Sequence, residues 1–266
     1  MFKGICVIIG CSRGLGAALV DELINDGCPM VIGVARTKLE DIEQGKEWLA
    51  SNRYKHVIAD IGAESSVNIL TKISLELPME PLLIIFNAAC LTSDVTADKR
   101  INYDVFKKVN RVGVDGLGYV LQSFEEHLCF YGGIFVGISS TNAIKPPVFE
   151  YRLAYGASKA YLDMALRNLS FLWPPKIKVI NFHLGHIGGG HDLGYLPVFL
   201  KATYNSAAKK IIREVSRQRV PSEVTYPVIY RIAYQYILKI IPDSVYINCS
   251  KFFCFLLKRG ANNKNR

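Results

Sequence analysis

Along residues 1–185, short apolar runs alternate with segments whose apolar positions recur at helical spacing. Ile5–Ile9, Met30–Ala35, Leu82–Phe86, Gly133–Ile138 and Lys178–His183 are apolar runs of strand length, and Lys55–Ala59 fits one more strand. Between them, Ala17–Asn25, Leu39–Ala50, Ser65–Leu77, Asn102–His127 and Tyr155–Leu172 read as helices. In Ser65–Leu77 the stripe is Val67, Leu70, Ile73 and Leu77. Strands apolar on both faces, alternating with helices, predict a parallel sheet covered on both sides. The expected fold is α/β, a three-layer doubly wound sheet in one domain over residues 1–225. After Gly185 the pattern changes. Residues 185–194 read as a loop. Ser206–Arg217 and Ser222–Ile240 read as amphipathic helices, and residues 226–266 as a basic C-terminal segment.

Composition narrows the classes. The chain has 266 residues, 50% hydrophobic and 21% charged, which supports a core and excludes disorder as the main state. Its apolar runs are too short for a transmembrane helix. The apolar start ends at Gly10, too soon for a signal peptide. The 7 cysteines are scattered, without zinc-type spacing, and read as reduced core thiols of a cytoplasmic protein with no metal site.

The net charge of +9 sits at one end: residues 201–266 hold 13 Lys/Arg against 3 Asp/Glu. A basic segment suits an anionic neighbour. Tyr230, Ala233, Tyr234, Ile237, Leu238 and Ile241 form one helical face, and Lys258, Arg259, Lys264 and Arg266 follow a second apolar stretch. Peripheral contact of 226–266 with the inner face of a membrane is one expectation. Packing over a pocket or a subunit interface is the other. No nucleic-acid motif appears, so no such partner is expected.

Two clusters carry chemistry. Gly10-Cys11-Ser12-Arg13-Gly14-Leu15-Gly16 joins the first strand to the first helix. Glycines there let the backbone approach a pyrophosphate, and the helix N-terminus supplies N–H groups and partial positive charge. Arg13 in this loop and Arg36 after the second strand bring cations to the same place, and a guanidinium fork suits a 2′-phosphate. Tyr155 and Lys159, four apart, share a helix face. A phenol titrates near 10, and a neighbouring ammonium favours its ionised form.

Together with Asn87-Ala88-Ala89, Asn110, Ser139-Ser140 and Gly185-His186-Ile187, in this order, these residues resemble the short-chain dehydrogenase/reductase family, in its single-domain branch. The resemblance covers about residues 4–190. It implies a Rossmann-type fold that binds NADP (NADPH). The glycine loop residues Gly10, Ser12, Arg13, Gly14, Leu15 and Gly16 would hold the pyrophosphate side. Arg36, Asp60 and Ile61 would take the adenosine half; Asn87 and Ala88 would also contact the cofactor, with Asn87 open to a purely structural role pairing backbone groups of the central sheet. Tyr155, Lys159, Gly185 and Ile187 would meet the nicotinamide half. The implied catalytic set is Asn110, Ser140, Tyr155 and Lys159, with Ser140 holding the substrate oxygen and Asn110 a relay water. Ser139 stays open as an alternative to Ser140, because Ser140 stands 15 residues before Tyr155, farther than the family usually shows. Ile9, Phe86, Ala89, Leu184 and Gly189 depart from the family pattern.

The implied activity is hydride transfer between NADPH and a small-molecule carbonyl or secondary alcohol. Residues 146–152 and 188–205 are the expected substrate lining, the latter with Tyr195, Phe199 and Tyr204. Other classes remain open: an NADP-sensing scaffold without turnover, or a nucleotide-sugar epimerase or dehydratase. Pairing through the two long helices into a homodimer or homotetramer is also implied. Ile241-Pro242-Asp243-Ser244-Val245-Tyr246 resembles the ending of some bacterial members, which suggests a bacterial enzyme of cell-envelope precursors.

Overall fold

The strands β1 (Ile5–Ile9), β2 (Met30–Ala35), β3 (Tyr54–Ile58), β4 (Leu82–Phe86), β5 (Gly133–Ser140), β6 (Ile177–Leu184) and β7 (Glu223–Tyr226) form one sheet in the computed structural model. Their order is β3-β2-β1-β4-β5-β6-β7, and every pair is parallel. The structure describes residues 2–96, 98–145, 152–188, 202–230, 240–249 and 251–252. The longer helices of the sheet's two covering layers are α1 (Leu15–Asn25), α2 (Gly45–Ala50), α3 (Ser66–Glu76), α4 (Tyr103–Asn110), α5 (Gly116–Tyr131), α6 (Leu153–Leu172) and α7 (Tyr204–Val215), with short helical stretches at Val228–Tyr230 and 243–249.

Alternation along the strands splits the core into two layers. Cys6 and Ile8 of β1 face α1 and α7, while Ile5, Val7 and Ile9 face α3, α5 and α6. The largest side chains without exposure, Phe86, Phe124 and Phe135, fill the second layer. Such an apolar ring contributes roughly 2–3 kcal/mol when buried. The chain starts in the centre at β1, winds outward to β3, then crosses to β4 and winds the other way. That reversal opens a crevice beyond the carboxyl ends of β1 and β4, where open sheets of this kind take their ligands.

Three expectations change. The helix expected from Ser222 begins instead as β7, whose Val224 and Thr225 continue the parallel ladder beside Phe182 and His183. The two helix-like features of Leu39–Ala50 separate into a 3-10 turn at Leu39–Asp41 and the short α2. The expected long helix Asn102–His127 is three pieces, because Arg111–Asp115 is π-helical between α4 and α5. A wider turn there has a local cause. A Cβ on Gly113 would lie 2.9 Å from the Ser158 Cβ, so the glycine lets the π segment press against α6.

The cysteine expectation holds in part: Cys6, Cys11 and Cys28 are buried free thiols, Cys90 and Cys129 are half-buried, and Cys249 is exposed. Most of the apolar tail face lies outside the described residues. Its first member, Tyr230, is buried, with its ring against Gly185, so it does not face outward as an interfacial helix requires. Among the described residues no helix is long and apolar enough to cross a membrane.

Candidate active site

A cleft of about 1090 Å³ runs across the carboxyl ends of the central strands, lined at one end by the glycine loop and at the other by α6. The loop is shaped by Gly16. A Cβ there would stand 1.9 Å from the Gly10 carbonyl oxygen and 2.9 Å from Asn87 Nδ2. Only glycine lets α1 start so close beneath the loop. Asn87 Nδ2 donates to that same carbonyl at 2.7 Å, and the Asn87 amide donates to Ile9 at 3.0 Å. Asn87 therefore ties the end of β4 to the loop across 77 residues of sequence. Asn87→Ala leaves the Gly10 carbonyl unpaired, at a cost of about 1–3 kcal/mol. A thermal melt is expected to show a drop of several degrees; an unchanged melting temperature contradicts it.

The first turn of α1 has no side-chain cap, so its N–H groups are available to an anion. Ser12, Arg13, Gly14 and Leu15 line the cleft here. Arg36 and Thr37 line it just past β2, and Arg13 and Arg36 are both exposed. Asp60 and Ile61 follow β3 on the same side; Asp60 accepts the Gly62 amide at 3.0 Å. Ala88 also lines the cleft. The Tyr204 ring at the start of α7 stands over Gly14, 3.3 Å from where a Cβ would be. Tyr204, expected at the substrate side, thus lies beside the glycine loop.

At the other end, Ser140, Tyr155, Lys159, Gly185, His186 and Ile187 line the same cleft. The two adjacent serines differ sharply. Ser139 Oγ donates to Asp163 Oδ1 at 2.5 Å, beneath the cleft. Ser140 Oγ accepts only the local Asn142 amide at 3.2 Å among the hydrogen bonds described, which leaves its proton for another acceptor. Lys159 is buried and donates from Nζ to the Ile138 carbonyl at 2.7 Å. Its Nζ is 5.8 Å from the Tyr155 ring centre. Burial pushes the Lys159 ammonium down to about 8, while the Asp163 charge pulls the other way.

Asn110 and Gly16 are the two expected site residues that do not line the cleft; Gly16 lies beneath the loop, and Asn110 ends α4, immediately before the π-helical turn that packs on α6. Pro146, Pro147, Gly189, His191, Tyr195 and Phe199 lie outside the described residues. The two sides of 189–201 meet in a parallel bridge, Ile187 with Ala202.

Several residues of the site escaped the sequence pattern. Asp94 is fully buried and its Oδ2 accepts the Ala154 amide at 2.8 Å, capping the helix that carries Tyr155 from a loop 60 residues earlier. Lys145, also buried, donates to the Ile241 carbonyl at 2.8 Å and to Asp243 Oδ1 at 2.6 Å, and so joins the chain after β5 to the C-terminal segment. Asp163 and His183 lie under Lys159. A charged residue one turn beyond Lys159 on a buried helix face was the available signal for Asp163.

The doubly wound sheet, the uncapped glycine turn and the Tyr-Lys pair beside Ser140 describe a dinucleotide-binding oxidoreductase architecture. The chain belongs to the short-chain dehydrogenase family, whose model matches residues 4–191. Comparison with curated proteins gave no significant match. Among solved structures, a short-chain dehydrogenase from Streptomyces avermitilis is similar at TM-score 0.72 and 18% identity, over 98% of this chain and 99% of that one. An NADPH-bound carbonyl reductase from chicken fatty liver is similar at TM-score 0.68 and 20% identity, over 82% and 92%. An alcohol dehydrogenase from the archaeon Thermococcus sibiricus, complexed with 5-hydroxy-NADP, is similar at 0.67 and 17%, over 84% and 96%. At these identities the likeness establishes the shared fold.

Proposed function

We propose that this protein is an NADP(H)-dependent oxidoreductase acting on a carbonyl compound or secondary alcohol. The observation that carries the reading is Tyr155 and Lys159, one turn apart on α6, in the same cleft as an uncapped, glycine-shaped helix start. The residues present fit the cofactor: Ser12, Gly14 and Leu15 line the cleft at the uncapped start of α1, and the exposed Arg13 and Arg36 stand at the same end. Ser12 to Leu15 would hold the pyrophosphate, with Gly16 and Asn87 shaping the loop from beneath; Arg36 with Arg13 would take the 2′-phosphate, and Asp60, Ile61 and Ala88 would border the rest of the cofactor. Gly185 and Ile187 would border the nicotinamide. When bound, the cofactor supplies or accepts hydride.

The chain's own side chains handle the proton. Ser140 is the better-placed serine, because the Ser139 hydroxyl is committed to Asp163. Ser140 would donate a hydrogen bond to the substrate oxygen, and Tyr155 would give that oxygen its proton in reduction. The Lys159 charge favours the phenolate of Tyr155 and makes proton transfer feasible near neutral pH. Asn110, beside the π-helical turn, would order a water on the route to solvent. Exposed Leu153, Tyr161 and Met164 on the outer side of α6 support pairing of two copies through this helix.

The test is a fluorescence titration of the protein with NADPH and NADH. NADPH is expected to bind about tenfold more tightly, a typical worth for charge-assisted hydrogen bonds at an exposed phosphate. Arg36→Ala is expected to remove most of that preference. Equal binding of both nucleotides would overturn the arginine assignment. Binding of neither would overturn the function and leave a scaffold. A screen of carbonyl substrates, lipid-linked cell-envelope precursors included, follows from a positive titration.

A further inference from the structure

Beneath the proposed catalytic pair lies a buried polar cluster that the mechanism above does not use. Asp163, His183, Ser139 and Asn181 are all buried, in a layer otherwise filled by apolar side chains. Asp163 sits on α6, one turn beyond Lys159. Its Oδ1 accepts from Ser139 Oγ of β5, and its Oδ2 lies 2.6 Å from His183 Nε2 of β6. An ionised carboxylate only accepts, so Nε2 carries a hydrogen toward it. The opposite ring nitrogen lies 3.2 Å from Glu223 Oε1 of β7, off the line of a good hydrogen bond, and Asn181 Nδ2 is 3.3 Å from Nε2. Burial alone pushes the Asp163 carboxyl up. The hydrogen bond and charge of His183, with Ser139 and Asn181, outweigh burial and hold it below its ordinary value.

Burying a carboxylate in an apolar layer is costly unless its charge is used or paired. Here it is held by two strands and lies next to a buried ammonium. We propose that Asp163 is a positioning residue for the catalytic pair: its carboxylate, clamped by Ser139 and His183, is the counter-charge of Lys159 and fixes α6 to the ends of β5 and β6. The clamp grips β5 at the residue before Ser140 and grips α6 four residues after Lys159. It therefore sets the spacing between Ser140 and the Tyr155/Lys159 turn. The groups around Lys159 are few. Tyr155 and Asp163 share its helix, and Ser139, His183 and Glu223 come from β5, β6 and β7. Arg111 and Asp115 lie on the π-helical segment packed on α6 and are exposed. Arg152 and Asp60 line the cleft.

This inference rests on the proposed function for its consequence in turnover, but its first test does not need turnover. The side-chain ε-methylene of lysine, labelled with carbon-13, reports the ammonium titration of Lys159; the signal is assigned by its loss in Lys159→Arg. In Asp163→Asn the midpoint is expected to fall by about one pH unit, the lower end for losing an opposite charge at close range. His183→Gln leaves the carboxylate in place, and its midpoint is expected at or above the wild-type value. An unchanged midpoint in Asp163→Asn overturns the proposal. So does an equal fall in both variants, which would mark general loosening of the layer. If Asp163→Asn fails to fold, as circular dichroism would show, His183→Gln decides alone by the same rule: a fall overturns, no fall supports. The second readout is turnover against pH. The alkaline limb of kcat is expected to move down by the same unit in Asp163→Asn while the NADPH dissociation constant at pH 6 stays within about threefold. A wild-type protein that binds NADPH but reduces no carbonyl compound would sink the proposed reaction and leave the lysine titration to judge Asp163.

Discussion

Tyr155→Phe is expected to lower NADPH-dependent carbonyl reduction by about a thousandfold, within the usual range for loss of a positioned proton donor. The ring stays and only the hydroxyl goes, so fold and NADPH affinity are expected to change little. Steady-state rates with a fluorescence titration check both halves. Wild-type turnover retained by the phenylalanine variant would remove Tyr155 from the chemistry. Loss of sensing or binding along with turnover would point to a structural tyrosine instead. The wild-type pH profile has a definite sign. In the proposed reaction Lys159 helps Tyr155 while it is charged, and burial has lowered its ammonium to about 8. Turnover limited by this group is full below that value and falls as pH rises through it.

The second large effect belongs to Gly16. An alanine Cβ at this position meets the Gly10 carbonyl at 1.9 Å and the Cys11 Cα at 2.9 Å, both backbone atoms that cannot swing aside. The loop must shift by more than an ångström, and overpacking of this kind costs about 1–3 kcal/mol. Gly16→Ala is expected to weaken NADPH binding by about a hundredfold and to lower the melting temperature by several degrees. Isothermal titration and a thermal scan read the two effects separately. Tight NADPH binding in this variant would show that the loop does not carry the pyrophosphate.

What could be read from the sequence follows from where each constraint lives. The glycine loop and the Tyr155/Lys159 spacing were legible because the chemistry needs fixed local geometry, a tight turn in one case and one helical turn in the other. The alternating strands were legible because a parallel sheet buries both faces. β7 was not, since Val224 and Thr225 become a strand only through the open edge of β6. The π-helical turn depends on Gly113 meeting Ser158 from another helix, a contact between positions 45 residues apart. Asp94, Lys145 and His183 were missed for the same reason: their partners are 60, 98 and 20 residues away. The choice between Ser139 and Ser140 is of this kind too, because it turns on Asp163. Tyr230, the first member of an expected outward stripe, points inward, and periodicity alone does not say what a stripe faces.

The contact of Lys145 with Ile241 and Asp243 gives the molecule an order of completion. The glycine-loop end of the cleft is built mainly from β1 to β4, with Tyr204 of α7 added from later in the chain. The buried Lys145 ammonium, by contrast, waits for acceptors made 96 and 98 residues later. During synthesis most of the glycine-loop end of the cleft thus exists first, and the chain after β5 is tied down last. A polypeptide that stops short of Asp243 would be left with an unmatched buried cation just after β5.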